Sequence, residues 1–390
     1  MTPLPPDLAV PPYGATSLAD VLPGAATALG VPVARDGLPP DPLDLTGSVQ
    51  GARRVMVLLV DGLGADLLRA HEDLAPTLAG LDRPVGDLSA PCPSTTPVSL
   101  ATLGTGLPPG RHGILGFVTD VPGEDRTLNH VQWADDPDPD LWQARPTVFE
   151  QAQAAGVATT AVGPYAYARS GLTRAVYRGA TYTGAVSHGD LCALSLEALA
   201  ATPRALVYGY VPELDLTGHV RGADSPSWRA QLALVDALVE QLLTGLPDDA
   251  ALLITADHGM LDVPKDTRLD LDAEPALADG VRVLAGEPRA RYVHAEPGAE
   301  DDLLAAWREV LGDRAWVASR DEAVAAGLFG PVDDGVAARI GDVVAIARGS
   351  WAMVTPEREP GPSRLTAYHG SLTATELAIP LLVARGQSLR

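Results

Sequence analysis

Short, wholly apolar runs alternate along the chain with longer stretches in which apolar residues recur every three or four positions. The run Val55-Met56-Val57-Leu58-Leu59-Val60 stops abruptly at Asp61-Gly62. It predicts a central parallel strand buried on both faces, with Asp61 at its carboxyl end. Residues 157–163, ALVYGYV at 205–211 and ALLITA at 251–256 predict further strands, the last ending at Asp257-His258-Gly259. Between them, residues 147–155 read as a helix. Ser225 and Pro226 open another that runs to about Gly245, with Trp228, Leu232, Val235, Val239 and Leu242 on one face. This alternation predicts an α/β fold: a doubly wound, mostly parallel sheet with helices on both faces, whose ligands bind beyond the carboxyl ends of the strands.

The rhythm breaks over residues 262–365, which hold RARYVHAE, a helical stretch near 300–311, AWVAS and RIGDVVAIAR. Residues 281–330 are read as a small α+β insertion, dividing the catalytic domain into 51–270 and 340–390. Residues 1–50 are Pro-rich, with one helical stretch at 17–29, and are expected to wrap the surface of that domain.

The chain's 390 residues carry 50 Asp and Glu against 28 Lys and Arg, a net charge of −22. Such a surface repels nucleic-acid backbones and anionic membranes. An anionic substrate then needs a local cationic centre, and bound metal ions provide one. Cys92 and Cys192 are the only cysteines, so no disulfide framework exists. The N-terminal stretch has neither a basic nor a continuous apolar region of the secretory kind, and no apolar run reaches membrane-spanning length. A cytoplasmic enzyme of small molecules is the expectation.

Polar residues cluster where the strands end. Asp61 ends one strand, and Asp257 and His258 end another. Asp215 and His219 follow a third, one helical turn apart, and His369 stands near the C-terminus. Each has an ordinary structural explanation: a carboxylate after a strand commonly caps the next helix, and a lone histidine is most often hydrogen-bonded in the core. Together, three Asp and three His supply enough donors for two divalent metals, and the mixed nitrogen and oxygen set favours zinc or manganese. The segment Pro93-Ser94-Thr95-Thr96-Pro97 precedes an apolar helical run. In isolation Thr96 is a helix cap, with Pro97 in the first turn. Beside two metals, one of the two threonines can be a nucleophile, with the helix N-terminus aimed at an anion. His71, His112, His130, His188 and His294 are not at clear strand ends and are left as structural or of unassigned role.

The ordered set VMVLLVDGLG, PSTTPVSLATLGTGLPPGRHGILG, DLTGH, TADHGM and YHGS resembles the alkaline phosphatase superfamily, and within it the type I phosphodiesterase/nucleotide pyrophosphatase group. The resemblance implies that Asp61, Asp257 and His258 hold one metal, which also engages the nucleophile Thr96. Asp215, His219 and His369 would hold the second. It implies hydrolysis of phosphodiesters or pyrophosphates through a covalent phospho-threonine, with phosphomonoesterase, phosphonate hydrolase or a non-catalytic metal- or nucleotide-binding module as the alternatives. Two positions depart from the group. Thr95 stands where members often have lysine, and Phe117 stands where an asparagine typically binds a phosphoryl oxygen. Asn129 and the Thr96 backbone N–H are the replacements considered for that contact. Arg111 is the nearest basic side chain in sequence.

Overall fold

The computed structural model describes residues 3–389. The strands of its two larger sheets are β1 (Arg54–Val60), β2 (Ala158–Pro164), β3 (Thr181–Ala185), β4 (Ala205–Val211), β5 (Ala250–Thr255), β6 (Val281–Glu287), β7 (Ala290–Ala295), β8 (Ala315–Ser319), β9 (Val343–Ala347) and β10 (Leu381–Arg385). The helices that matter for the site and its support are α1 (Val21–Ala28), α2 (Thr96–Thr105), α3 (Val148–Ala154), α4 (His188–Ala200), α5 (Glu213–Arg221), α6 (Pro226–Gly245) and α7 (Glu300–Leu311).

The central sheet has the order β10-β5-β1-β4-β2-β3. Its pairings are parallel except that β10 runs antiparallel to β5 at the edge. Val55 to Val60 are all fully buried. Because side chains alternate between faces, this means both faces of β1 are covered, as its unbroken apolar run predicts. Register then decides where the polar ends fall. Val60 pairs with Val211 and Leu59 with Thr255, so the carboxyl ends of β4, β1 and β5 lie level along one rim. Helix α6 forms where expected. Ser225 Oγ accepts the Trp228 N–H at 3.2 Å, and Trp228, Leu232, Val235, Val239 and Leu242 are fully buried.

A second sheet, antiparallel with the order β6-β7-β9-β8, forms the insertion. The boundary drawn at residue 330 falls short of it, because β9 pairs with both β7 and β8 and so extends the unit to Ala347. The stretch RIGDVVAIAR is apolar on both faces, and period alone does not tell which sheet it joins. The structure shows both faces in use. Val343, Ala345 and Ala347 pack with Leu303, Trp307 and Leu311 of α7 in a small core of their own. Val344 and Ile346 point the other way, into the main core. No helix among the described residues is long and apolar enough to cross a membrane.

The helical stretch of the N-terminal segment joins the core, while most of the remaining described residues before 50 lie at the surface. Leu18, Val21, Leu22, Ala25 and Ala26 are fully buried in the main cluster. Arg35 pairs with Asp20 at 2.6 Å, both side chains fully buried, and its Nε donates to Gly106 O at 2.9 Å. Gly106 closes the C-terminal end of α2 in a left-handed conformation, with φ of 68°. A guanidinium there meets the negative end of the helix dipole. Removing one member of a buried pair leaves the other charge uncompensated. Arg35→Ala should therefore destabilise the fold by about 3–5 kcal/mol, read from urea unfolding; a loss near zero would show that the clamp on α2 is not structural.

Candidate active site

The aligned strand ends carry the acidic residues. Asp61 follows β1, and its Oδ2 accepts the Tyr210 hydroxyl from β4. Asp257 follows β5, and its Oδ1 accepts the N–H groups of Gly62 and His258, each at 3.0 Å. Gly259 follows because nothing larger fits: a Cβ there would lie 2.0 Å from the Thr375 carbonyl oxygen. Asp215 and His219 lie on α5, and His219 Nε2 is 3.2 Å from Asp215 Oδ2, as expected one turn apart. His369 arrives from the C-terminal segment and stacks on His258, ring centroids 3.6 Å apart.

The three imidazoles are oriented alike. His219 Nδ1 faces Ala367 O at 2.8 Å, His369 Nδ1 faces Ser94 O at 2.9 Å, and His258 Nδ1 faces Gly259 O at 3.1 Å. A carbonyl oxygen only accepts, so each Nδ1 carries a proton and each Nε2 is turned toward the centre. His219 Nε2 and His369 Nε2 stand 3.1 Å apart. Two lone pairs at that distance repel unless a proton or a cation lies between them.

The carboxylates tell the same story. Asp61 Oδ1, Asp215 Oδ1 and Asp257 Oδ2 are buried without a hydrogen-bond partner. Burial, with Asp257 and Asp215 close by, pushes the Asp61 carboxyl well above its ordinary range. Burial also pushes Asp215 upward, but the imidazoles of His219, His369 and His258 outweigh it and hold that carboxyl low. His219 is opposed by burial yet drawn up to about 9 by Asp215. Burial and the neighbouring His258 press His369 well below its ordinary value. Donor atoms of Asp61, Asp257 and His258 lie within 4.8 Å of one another, as do those of Asp215, His258 and His369. Orphaned carboxylate oxygens beside inward lone pairs are a donor set that fits divalent metal ions.

Thr96 completes the rim. The helix begins one residue earlier than the sequence alone indicates: Thr95 is the cap position and Thr96 the first residue of α2. Neither hydroxyl caps. Thr96 Oγ1 lies 3.3 Å from His258 Nε2 and 3.5 Å from Asp61 Oδ2. Thr95 is buried and turned the other way, against Glu287 of the insertion, without completing a hydrogen bond to it. Burial pushes the Glu287 carboxyl up to about 8.

Two cavities adjoin this centre. The larger, about 600 Å³, is lined by Thr96, Asp61, Asp215 and five tyrosines: Tyr167, Tyr177, Tyr182, Tyr208 and Tyr210. The smaller, about 340 Å³, is lined by Asn129, Glu287, Glu359 and Tyr368 among others, and shares Phe117, His219, Leu365 and His369 with the first. Asn129 thus lines the second cavity and not the one that holds Thr96, and its Oδ1 accepts the N–H groups of Val131 and Gln132 in a turn. Arg111 lines neither cavity and pairs with Asp333. The remaining histidines are engaged elsewhere, His112 with Thr102, His130 with Thr119, His188 with Glu213, His71 with Asp224 and His294 near Asp120. Both cysteines are free and buried.

The family model described as type I phosphodiesterase/nucleotide pyrophosphatase matches residues 55–372, most of the chain. The chain belongs to this family. It is therefore a metal-dependent hydrolase of phosphoester or anhydride bonds, built on the alkaline phosphatase-like fold. Among solved structures it is similar to murine ectonucleotide pyrophosphatase/phosphodiesterase 5, described as an inactive threonine-to-alanine form in complex with AMP. The TM-score is 0.70 at 22% identity, over 86% of this chain and 88% of that one. The human protein of the same name gives a TM-score of 0.68 at 20% identity, over 85% of this chain and 87% of that one. No curated protein sequence matches.

Two residues of this phosphodiesterase's site escaped the sequence. Tyr210 sits inside an apolar strand, where nothing marks it as the partner of Asp61. Glu287 lies in the insertion, far from any motif, and only tertiary packing brings it to Thr95. A Cβ at position 259 must displace the Thr375 carbonyl or the turn that carries Asp257 and His258. Gly259→Ala should destabilise the protein by about 1–3 kcal/mol and weaken metal binding together with it. Urea unfolding and metal titration check this; unchanged metal affinity would mean that the turn does not position His258.

Proposed function

We propose that this phosphodiesterase cleaves phosphodiesters or nucleotide pyrophosphates with Thr96 as nucleophile, through a covalent phospho-threonine. The observation that carries the reading is the Thr96 hydroxyl at the N-terminus of α2, 3.3 Å from His258 Nε2 and 3.5 Å from Asp61 Oδ2. The inactive threonine-to-alanine form of the murine neighbour, in complex with AMP, supports a threonine in that role and a nucleotide as ligand.

Asp61, Asp257 and His258 would hold one divalent ion and Asp215, His219 and His369 a second, zinc or manganese by their donor chemistry. When bound, such ions supply the positive charge that stabilises oxyanions on both sides of phosphorus in an in-line displacement. Thr96 Oγ loses its proton as it bonds to phosphorus. The bond from phosphorus to the leaving oxygen breaks, and that oxygen takes up a proton. Water then adds to phosphorus and the Thr96 oxygen leaves, regaining its proton. The first-turn N–H groups of α2 have no carbonyl partners within the helix and favour the phosphoryl oxygens beside them. With Phe117 in place of an amide, this backbone end is the better replacement for the phosphoryl contact than Asn129, whose side-chain oxygen is held in its turn. The tyrosine-lined cavity suits a flat apolar group such as a nucleobase.

A phosphomonoester brings a second negative charge. Neither cavity wall contains a lysine or an arginine to meet it, which favours the diester. With zinc or manganese added, bis-p-nitrophenyl phosphate should be cleaved faster than p-nitrophenyl phosphate. Thr96→Ala should lower turnover at least about a thousandfold, as loss of a nucleophile does elsewhere; retained turnover would sink the assignment. Elemental analysis should find two metal equivalents in the wild type and one when His219 and His369 are both replaced by Ala. One equivalent in the wild type would refute the two-metal reading.

A further inference from the structure

Glu287 is a buried carboxylate with no role in the chemistry derived above. It ends β6 and is 6% exposed, and its Oε1 is buried without a hydrogen-bond partner, at the wall of the smaller cavity. The fold makes room for it. Gly370 has φ of 120°, and a Cβ there would lie 3.0 Å from Glu287 Cδ. Arg291 binds Glu359 through Nη2 at 2.7 Å and makes no ion pair with Glu287, and although Arg291 and the Thr95 hydroxyl both favour its charged form, neither completes a hydrogen bond to Oε1. Burying an acceptor this way is unfavourable unless something satisfies it.

The position of the cavity says what that something is. It shares His219 and His369 with the larger cavity but excludes Thr96 and Asp61. In an in-line displacement the leaving group departs on the side away from the nucleophile. A group leaving on the side of His219 and His369 would enter the smaller cavity, whose wall includes Glu287, Glu359, Phe117 and Tyr368.

We propose that the smaller cavity is the leaving-group subsite and that Glu287 makes it select alcohols bearing a protonated amine. This rests on the phosphodiesterase reading above. An ammonium group satisfies the orphaned oxygen by a charge-assisted hydrogen bond, favours the charged form of the carboxyl, and is attracted to aromatic faces. A departing pyrophosphate finds an acidic side chain and no cation on the wall, so nothing there favours its charge.

The test compares the 2-aminoethyl and 2-hydroxyethyl esters of adenosine 5′-phosphate on the metal-loaded full chain, with AMP release measured. The aminoethyl ester should have the higher kcat/KM by about tenfold, the scale of one charge-assisted hydrogen bond. Glu287→Gln should bring the two esters within about twofold of each other, chiefly by lowering kcat/KM for the aminoethyl ester. Equal rates in the wild type, or a preference that survives Glu287→Gln, would overturn the proposal. Calorimetric titration with 2-aminoethanol reads the subsite without turnover, and Glu287→Gln should weaken it at least about fivefold. Binding that depends on Glu287 in a protein that cleaves neither ester would keep the subsite and reject the phosphodiesterase reading. Binding indifferent to Glu287 in a protein that cleaves both would do the reverse.

Discussion

Asp61 and Asp257 end adjacent strands of one parallel sheet, so in-register pairing drives two carboxylates together at a buried rim. Their donor oxygens lie within 4.8 Å. At an effective dielectric near 20, like charges at that distance repel by about 3.5 kcal/mol. That is a large fraction of the roughly 5–15 kcal/mol by which a domain is stable. The rest of the site answers this repulsion. The Tyr210 hydroxyl takes one oxygen of Asp61, and two backbone N–H groups take one oxygen of Asp257. Each residue keeps a second oxygen without a hydrogen-bond partner, and of the inward imidazoles His219 is drawn toward its charged form by Asp215 while His369 is held neutral by burial. The arrangement fits a cation-binding centre. Its stability and its chemistry are the same question.

Holding that centre falls largely to one short segment. Ser94 supplies the carbonyl that orients His369, and its hydroxyl donates to Ser371 O at 2.6 Å and accepts the Gly370 N–H at 3.1 Å. Thr96 presents its oxygen to Asp61 and His258. Ser99 Oγ donates to Asp257 O at 2.8 Å, tying the first turn of α2 to the end of β5. The other end of the same helix is gripped by Arg35, which is itself anchored by Asp20. The N-terminal segment thus reaches the active centre indirectly, through the axis of the helix that carries Thr96. This gives the buried helical stretch of an otherwise largely surface-lying Pro-rich segment a structural role.

Much of this was legible in the chain, for identifiable reasons. Val55–Val60 could be placed because a six-residue apolar run has few uses other than a strand covered on both faces. Asp61, Asp257 and His258 could be placed because parallel strands put their ligands at carboxyl ends, and Asp215 and His219 because a spacing of four is one helical turn. The insertion was harder. Its strand Val343–Ala347 packs one face on α7 and the other on the main core, so its pattern is continuous and carries no sign of which sheet it joins. The Thr95 cap was displaced by one residue because both threonines suit a helix start, and only tertiary contact reveals that neither hydroxyl is used for it. Tyr210 and Glu287 act through contacts more than a hundred residues away in sequence, which no local periodicity encodes.

The absence of lysine and arginine from both cavity walls follows the same logic as the acidic surface. With a net charge of −22, the chain's long-range field slows the approach of polyanions. A substrate carrying one negative charge suffers least from that field, and one that adds a positive charge at its far end gains from it. On the proposed reading, bound metal ions would concentrate positive charge where phosphorus reacts while the walls withhold it, so binding energy would be spent at the reacting centre rather than on every phosphate a ligand carries. Glu287 extends that discrimination from the reacting centre to the departing group.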